Sequence, residues 1–192
     1  APTSSVEVRE TAEPAVLAPS SGPVSYATAV ERAAPAVVNI NTAKVVTEAP
    51  NPLLNDPVFR QFFGRGLESP RKRVERSLGS GVIFSPQGYI LTNHHVIGGA
   101  DAIQVFLQDG RSATAQVIGG DPETDVAVLK IDLKNLPAIT LAKSDRVRVG
   151  DVVLAIGNPF GVGQTVTMGI VSATGRSALG INTFENFIQT DA

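Results

Sequence analysis

From Gly79 onward, short apolar runs alternate with turn residues along the chain. The runs are rich in Val, Ile, Leu and Thr, and the turns contain Gly or Pro, as in the Asp109-Gly110 pair. An Asp-Gly pair between two such runs is a strong signal for a β-hairpin. The predicted strands are 81–84, 89–92, 103–107, 113–118, 126–131, 152–156 and 165–173. Such closely spaced strands with little helix predict an all-β antiparallel barrel or sandwich.

A short helix and one further strand are predicted upstream of these runs. The apolar positions at helical spacing are Tyr26, Ala29, Val30 and Ala33. Thr28 and Glu31 have the spacing of a capping box, and Ser25 is an equally good helix start. Pro35 is expected to end the helix at about the preceding residue. Residues 36–41 then read as a strand.

Two segments lack a regular pattern. Residues 1–24 contain four of the 13 prolines and no aromatic residue. Such a stretch buries too little apolar surface to offset the entropy of ordering, so it is predicted to be a flexible linker or arm. Residues 43–78 are predicted to form a long connection because Asn-Pro and Asp-Pro pairs interrupt them. Connections of this length inside a domain are usually functional or mobile.

Composition limits the class of protein. The 192 residues have a mass of 20.0 kDa and are 43% hydrophobic and 18% charged, which is typical of one globular domain. A formal charge of −2 argues against a nucleic-acid partner. No apolar run approaches the length of a membrane span. The absence of cysteine excludes disulfides, cysteine-based metal sites and a cysteine nucleophile.

The two histidines, His94 and His95, are adjacent and follow the predicted strand 89–92. If they continue the strand, their side chains point to opposite faces, so that one faces a cleft and the other does not. A metal site is not predicted, because no HExxH pattern or third ligand is evident. From composition alone, a solvated pair at a strand end is the simpler interpretation.

Asp125 lies at the start of the apolar run 126–131. A partly buried carboxylate needs a partner. One interpretation is a turn-capping residue, a role that suits Asp121 before Pro122 better. The other is a carboxylate that holds an imidazole in one tautomer. A histidine followed thirty positions later by an aspartate suits a chymotrypsin-like arrangement in which a serine comes last.

Several segments resemble, in order, the signature motifs of the HtrA/Deg family of serine proteases. They are 91–97 (LTNHHVI), 124–130 (TDVAVLK), 155–161 (AIGNPFG), 167–176 (TMGIVSATGR) and 189–192 (QTDA). The resemblance runs from Ser25 to the last residue. Residues 22–26 and 33–37, together with the moderate length of the 43–78 loop, resemble the DegS/AlgW branch. The DegP/DegQ branch is the alternative.

The resemblance implies a chymotrypsin-like double β-barrel with a short N-terminal helix, in which the second barrel is incomplete in this chain. The protease domain is expected over 25–192, with the first barrel to about 136 and a partial second barrel over 137–192. His95, directly before Val-Ile, is implied to be the catalytic base, and Asp125 is implied to orient it. The family's nucleophile lies in a Gly-Asn-Ser-Gly-Gly motif, which this sequence does not contain. We therefore expect a fragment that is inactive alone and lacks the family's PDZ domain. Ser80, within Gly-Ser-Gly, is expected to be a turn residue rather than a substitute nucleophile.

The resemblance also implies roles for four other residues. Arg176 matches the arginine of the family's sensor loop, although it is equally a solvated loop residue. Phe160 resembles a residue that stabilises the active loop network, with a place in the core as the alternative. Gln189 lies beside the expected catalytic loop. Tyr26 matches an aromatic at the family's trimer interface, or else belongs to the apolar face of a surface helix.

As a function, the resemblance implies a periplasmic, homotrimeric serine endopeptidase without metal or cofactor. In the DegS/AlgW branch it is expected to cleave a membrane anti-sigma factor during envelope stress. The trigger would be the C-termini of unfolded outer-membrane proteins, bound by the PDZ domain. An upstream segment is expected to tether the protein to the inner membrane. The alternatives are a DegP/DegQ-like quality-control protease and chaperone, or a non-catalytic truncated homologue.

Overall fold

The computed structural model describes residues 5–11, 25–47, 72–158, 163–176 and 186–192. These residues form twelve strands and two short α-helices. In chain order the elements are β1 (Arg9–Thr11), α1 (Ala27–Ala33), β2 (Val37–Thr47), β3 (Lys72–Ser85), β4 (Tyr89–Asn93), α2 (His94–Ile97), β5 (Ala102–Phe106), β6 (Ser112–Thr114), β7 (Gln116–Asp121), β8 (Val126–Lys130), β9 (Thr140–Ala142), β10 (Val152–Gly157), β11 (Thr165–Arg176) and β12 (Phe187–Thr190). The all-β prediction is therefore confirmed. None of the helices in the described ranges is long and apolar enough to cross a membrane.

Seven of the described strands form the first barrel. They pair in the order β6-β5-β2-β3-β4-β8-β7. The two strands at the ends of this order, β6 and β7, are separated in the chain by a single residue, Ala115. The Ala115 N–H donates to the carbonyl of Ile103 on β5 at 2.9 Å, and the chain then moves over to pair with β8. The sequence pattern predicted one strand over 113–118, whereas the structure divides it where the pairing partner changes.

Alternating side chains of these strands fill the barrel. In β5 and β8 every second residue points inward, as expected for strands with one buried face. The largest fully buried side chains of the barrel are Val38, Ile40, Ile83, Ile90, Val105, Leu129 and Ile131. Each isoleucine or leucine buried in this way contributes about 1.5–3 kcal/mol relative to an exposed one. The barrel core therefore provides a rigid support for the elements at its rim.

A second, three-stranded antiparallel sheet follows in the order β10-β11-β12. Val152 of β10 pairs with Ile170 of β11, and Val171 of β11 pairs with Thr190 of β12. A separate parallel pair is formed by β1 and β9. The sequence pattern missed β1, β9 and β12 because three or four residues are too few to show an alternating pattern.

The two irregular segments are shorter than predicted. Within residues 1–24, Arg9–Thr11 form β1 and pair with Thr140–Ala142, so part of the expected linker is a strand. Both ends of the 43–78 connection belong to a hairpin, because β2 continues to Thr47 and β3 begins at Lys72. Phe59, Phe62 and Phe63, whose i, i+3, i+4 spacing in the sequence predicts one helical turn, lie outside the described residues.

The predicted N-terminal helix is present as α1. The Ser25 hydroxyl accepts a hydrogen bond from the Ala27 N–H at 3.3 Å, in agreement with the start at Ser25. Thr28 and Glu31 lie within the helix and do not form the capping box that their spacing suggested. A turn of 3-10 helix over Ala34–Ala36 follows and contains the proline that ends the helix.

Candidate active site

His94 and His95 lie on α2, a single helical turn that directly follows β4. The prediction that they continue the strand and face opposite sides is therefore wrong. Successive residues of a helix differ in direction by about 100°, so the two rings point to different neighbours. The His94 ring lies beside Gly120 of β7, where an added Cβ would be 2.9 Å from His94 Cδ2. The His95 side chain is 71% exposed.

Two buried residues hold α2 against the barrel. Val96 and Ile97 are each 7% exposed and belong to the hydrophobic core. Val96 packs directly on the backbone of Gly79 in β3, where an added Cβ would lie 2.7 Å from Val96 Cγ1. This glycine lets the helix approach the strand closely. The position of His95 is therefore set by the core through its neighbour in sequence.

Asp125 ends the turn between β7 and β8 in a left-handed backbone conformation, with φ of +56°. Side chains other than glycine seldom adopt this conformation, although aspartate and asparagine tolerate it best. The Asp125 carbonyl accepts hydrogen bonds from the His94 N–H at 3.1 Å and from Asn93 Nδ2 at 3.1 Å. The turn is thus fastened to the end of β4 and the start of α2.

The carboxylate of Asp125 binds His95 at two points. Its Oδ2 lies 2.6 Å from His95 Nδ1, and its Oδ1 accepts the backbone N–H of His95 at 2.8 Å. Asn93 Nδ2 also donates to Oδ2 at 3.3 Å. An ionised carboxylate can only accept, so Nδ1 carries the proton in this contact. The other ring nitrogen, Nε2, is then free to act as a base.

The hydrogen bonds also fix the charge of this carboxylate. The backbone N–H of His95, followed by its ring, lowers the pKa of Asp125 below the ordinary value for aspartate, against an opposing contribution from desolvation. Asp125 is therefore ionised at neutral pH. A negative charge beside Nδ1 stabilises the imidazolium that forms when His95 takes up a proton.

The lowered pKa of Asp125 predicts a specific loss of stability in acid. A carboxyl whose pKa is lower in the folded state stabilises the fold above its unfolded pKa, about 3.9, and loses this contribution as the pH falls through its folded pKa. The urea midpoint of wild type should therefore fall more steeply below about pH 4 than that of Asp125→Asn. Asp132→Asn, an exposed aspartate outside the site, is the matched control and should follow wild type. Parallel curves for Asp125→Asn and wild type would contradict the prediction.

The other predicted site residues lie elsewhere. Gln189 is exposed on β12, and Arg176 ends β11 with its backbone opposite Phe187. Tyr26 directly precedes α1 and is half-buried. Phe160 lies outside the described residues. The structure therefore brings His95 and Asp125 together, while the roles of the other four residues stay predictions.

One residue in contact with the pair was not assigned from the sequence, and Ser80 was assigned to the wrong kind of element. The side-chain amide of Asn93 donates to the backbone carbonyl and to the carboxylate of Asp125. The only sign of this in the sequence is that Asn93 directly precedes the two histidines. Ser80 is not a turn residue as predicted, because it lies in the middle of β3 opposite Asn39. The two glycines beside it suggested a turn, but both instead allow close packing, of Gly79 on Val96 of helix α2 and of Gly81 on Ile40 of the sheet.

A contact between a histidine and an aspartate side chain at the edge of an antiparallel β-barrel is the arrangement found in trypsin-like peptidases. Residues 79–192 match the family described as the trypsin-like peptidase domain. Within that class, the chain belongs to the HtrA family of serine proteases. The relatives and solved structures that support this assignment carry HtrA-type or DegP-like names.

Curated relatives and solved structures match most of the chain. A probable periplasmic serine endoprotease DegP-like from Marinomonas sp. is 48% identical over 176 residues, which are 84% of this chain and 37% of the relative. Periplasmic serine endoprotease DegP of Salmonella typhimurium is 52% identical over 144 residues, 74% of this chain and 30% of the relative. The chain thus spans about a third of the length of these relatives.

Two solved structures of an HtrA-type protease, AlgW, are also similar. AlgW with a decapeptide is 64% identical with a TM-score of 0.69, and the match covers 88% of this chain and 51% of that one. AlgW with a tripeptide is 58% identical with a TM-score of 0.71 and covers 88% and 46%. The expected chymotrypsin-like fold is therefore confirmed.

Proposed function

We propose that this chain supplies the base and the orienting carboxylate of a serine endopeptidase. The observation that carries the proposal is the 2.6 Å contact between Asp125 Oδ2 and His95 Nδ1 in a trypsin-like domain. In the proposed reaction, His95 Nε2 takes the proton of a serine hydroxyl as that oxygen attacks the peptide carbonyl. The same nitrogen later donates the proton to the leaving amine. Asp125 stabilises the imidazolium and keeps its own charge.

The nucleophile of the proposed enzyme lies outside the 192 residues. The sequence has no Gly-Asn-Ser-Gly-Gly motif, and it spans 37% of the Marinomonas relative. In the proposal, the serine and the backbone donors of the oxyanion hole come from the part of the protein that this chain does not span. The chain alone is then inactive, because loss of one member of a triad removes most of the catalysis.

The proposed substrates are polypeptides, and the proposed location is the periplasm. Tripeptide and decapeptide complexes of AlgW, together with the periplasmic names of the relatives, support both. The identity of 64% to AlgW favours the DegS/AlgW-like role, which is cleavage of a membrane anti-sigma factor in the envelope-stress response. In that role the protein is tethered to the inner membrane, and a PDZ domain binds the C-termini of unfolded outer-membrane proteins.

The proposed assembly is a homotrimer with Tyr26 at the interface. Helix α1, which follows Tyr26, buries none of its residues completely, so one side of it is available to a partner. A DegP-like quality-control role is the second candidate, because the DegP-like relatives are also about half identical to this chain. Arg176, Phe160 and Gln189 keep their proposed regulatory roles around the catalytic loop in either case.

The proposal is tested on the protein from its source cells by intact mass and fluorophosphonate labelling. We expect a mass well above 20.0 kDa and one labelled serine. The same protein with His95→Ala is the control and should lose the label, since the serine is then not activated. A mass near 20.0 kDa without a label would favour a non-catalytic product. Cleavage of the anti-sigma factor, compared with cleavage of an unfolded globular protein, separates the two candidate roles.

A further inference from the structure

Two side chains of the barrel bind the backbone of the residue that directly follows β10. Asn158 directly follows β10, and its backbone N–H donates to the Ser80 hydroxyl at 2.9 Å. Its carbonyl accepts a hydrogen bond from Asn39 Nδ2 at 2.7 Å. Asn39 on β2 and Ser80 on β3 are direct partners in the register of the sheet. The two neighbouring side chains thus grip the backbone of one residue from both sides, and we call this pair the clamp.

Asn39 of the clamp and the residue that the clamp holds are buried, and Ser80 is half-buried. Asn39 is 2% exposed and Asn158 is 8% exposed. Asn39 Nδ2 also donates to the carbonyl of Gly79 at 3.4 Å. Burying an asparagine side chain costs free energy unless its polar atoms are hydrogen-bonded, whereas a valine at position 39 would need no such partner. The contact with Asn158 thus compensates for placing an amide side chain on the inner part of β2.

A second amide side chain ties the same region to β2. Gln164, directly before β11, donates through Nε2 to the carbonyls of Ala34 and Val37. The chain therefore departs from β10 and returns to β11 at two points that both bind the beginning of β2. Hydrogen bonds, which are directional, set this junction between barrel and second sheet.

The clamp is also connected to the element that carries His95. The Ser80 carbonyl accepts the hydroxyl of Thr92 at 2.9 Å, two residues before α2. Gly79, the neighbour of Ser80, is in contact with Val96 on α2. Of these two adjacent residues of β3, Gly79 contacts the helix that carries His95, and Ser80 binds Thr92 of β4 and Asn158 after β10.

We propose that Asn39 and Ser80 are positioning residues, which fix Asn158, the residue directly after β10, at a set distance from His95. The proposal rests on the proposed peptidase function, in which substrate lies between groups from both sheets. Reaction rates of such sites depend steeply on relative placement, because displacements near 1 Å can cost about a hundredfold. Without the clamp, the His95–Asp125 contact is kept but its place relative to the second sheet is not.

The test uses the full-length protein that contains this chain, with Ser80→Ala as the variant. Ser80→Thr keeps the hydroxyl, and Ser77→Ala removes an exposed hydroxyl from the same strand as a matched control. The first readout is deuterium uptake of the peptide that covers residues 152–158. We expect the Asn158 amide to exchange about tenfold faster or more in Ser80→Ala, since a freed amide loses its protection. Ser80→Thr and Ser77→Ala should resemble wild type.

The second readout is kinetic. We expect Ser80→Ala to lower kcat on a reporter peptide about tenfold with a smaller change in KM, while the NMR signal of the His95 ring N–H that faces Asp125 is unchanged. Unchanged exchange at Asn158 would overturn the clamp. Faster exchange with unchanged kcat would overturn its positioning role. A wild-type protein without peptidase activity would contradict the proposed function, whereas the exchange comparison would still decide the clamp.

Discussion

Replacing Asp125 by asparagine is expected to lower kcat on a peptide substrate about ten-thousand-fold while the fold persists. Asparagine tolerates the left-handed backbone of this position, so φ of +56° is no obstacle. The loss comes from hydrogen-bond polarity. Both carboxylate oxygens of Asp125 accept from N–H groups, Oδ1 from the backbone of His95 and Oδ2 from its ring and from Asn93.

The side-chain amide of asparagine at position 125 must place an N–H donor where the carboxylate had an oxygen acceptor. With its oxygen kept on the backbone N–H of His95, its nitrogen faces Nδ1, and the ring responds by moving its proton to Nε2. That tautomer cannot accept a proton from the serine. Asp121→Asn, in the same turn, is the control and should stay within about threefold of wild type, since His95 is not among the groups donating to it. The measurement is kcat/KM of the full-length variants on one peptide. Equal activity of Asp125→Asn and wild type would refute the role of Asp125 in orienting His95.

The choice of His95 was predictable from the sequence, but the local structure around it was not. The motif resemblance selected His95 over His94, whereas the expected alternation of the two side chains assumed a strand where the structure has a helical turn. A strand continued through 94 and 95 would have placed the rings on opposite faces. The turn of helix that replaces it depends on burial of Val96 and Ile97 against the barrel, which is tertiary information.

The longer apolar strands between turn residues were predictable, and burial alternates with a period of two in β4, β5 and β8. β4, β5, β8 and β10 lie within one residue of the prediction at each end. The short strands β1, β9 and β12 were missed, because they exist only through their partners. Ser80 shows a further limit, since glycine has the same signal in a turn and in a tightly packed strand. Which of these applies depends on the neighbour, here Val96.

The clamp was not predictable for a related reason. Asn39, Ser80 and Asn158 lie up to 119 positions apart, and asparagine and serine are ordinary residues of turns. Nothing in the local pattern marks Asn39 as buried, because the run around it reads as a strand of mixed polarity. These residues meet only because β2 pairs with β3 over a long range and both strands bind the residue after β10.

Gly79→Ala is expected to destabilise the protein by about 1–3 kcal/mol, the usual cost of an extra methyl group in a packed core. The added Cβ would lie 2.7 and 2.8 Å from the two γ-carbons of Val96, which is 7% exposed and has little room to retreat. The chain-entropy gain of replacing glycine, about 0.4–1 kcal/mol, offsets part of this. Because Val96 follows His95, relief of the clash by moving α2 would also displace the base and lower kcat.

The decisive comparison is a double-mutant cycle with Val96→Ala, measured by urea unfolding and by kcat in the full-length protein. Val96→Ala alone leaves a cavity and should cost about 2 kcal/mol. In the double variant, the new methyl group occupies space that Val96 has vacated, so the two costs should fall short of their sum by about 0.5–3 kcal/mol. Gly119→Ala is the control, because its Cβ would meet nothing within 4 Å and its stability should stay within about 0.5 kcal/mol of wild type. Strict additivity of Gly79→Ala and Val96→Ala would mean that the strand does not position α2 through this contact.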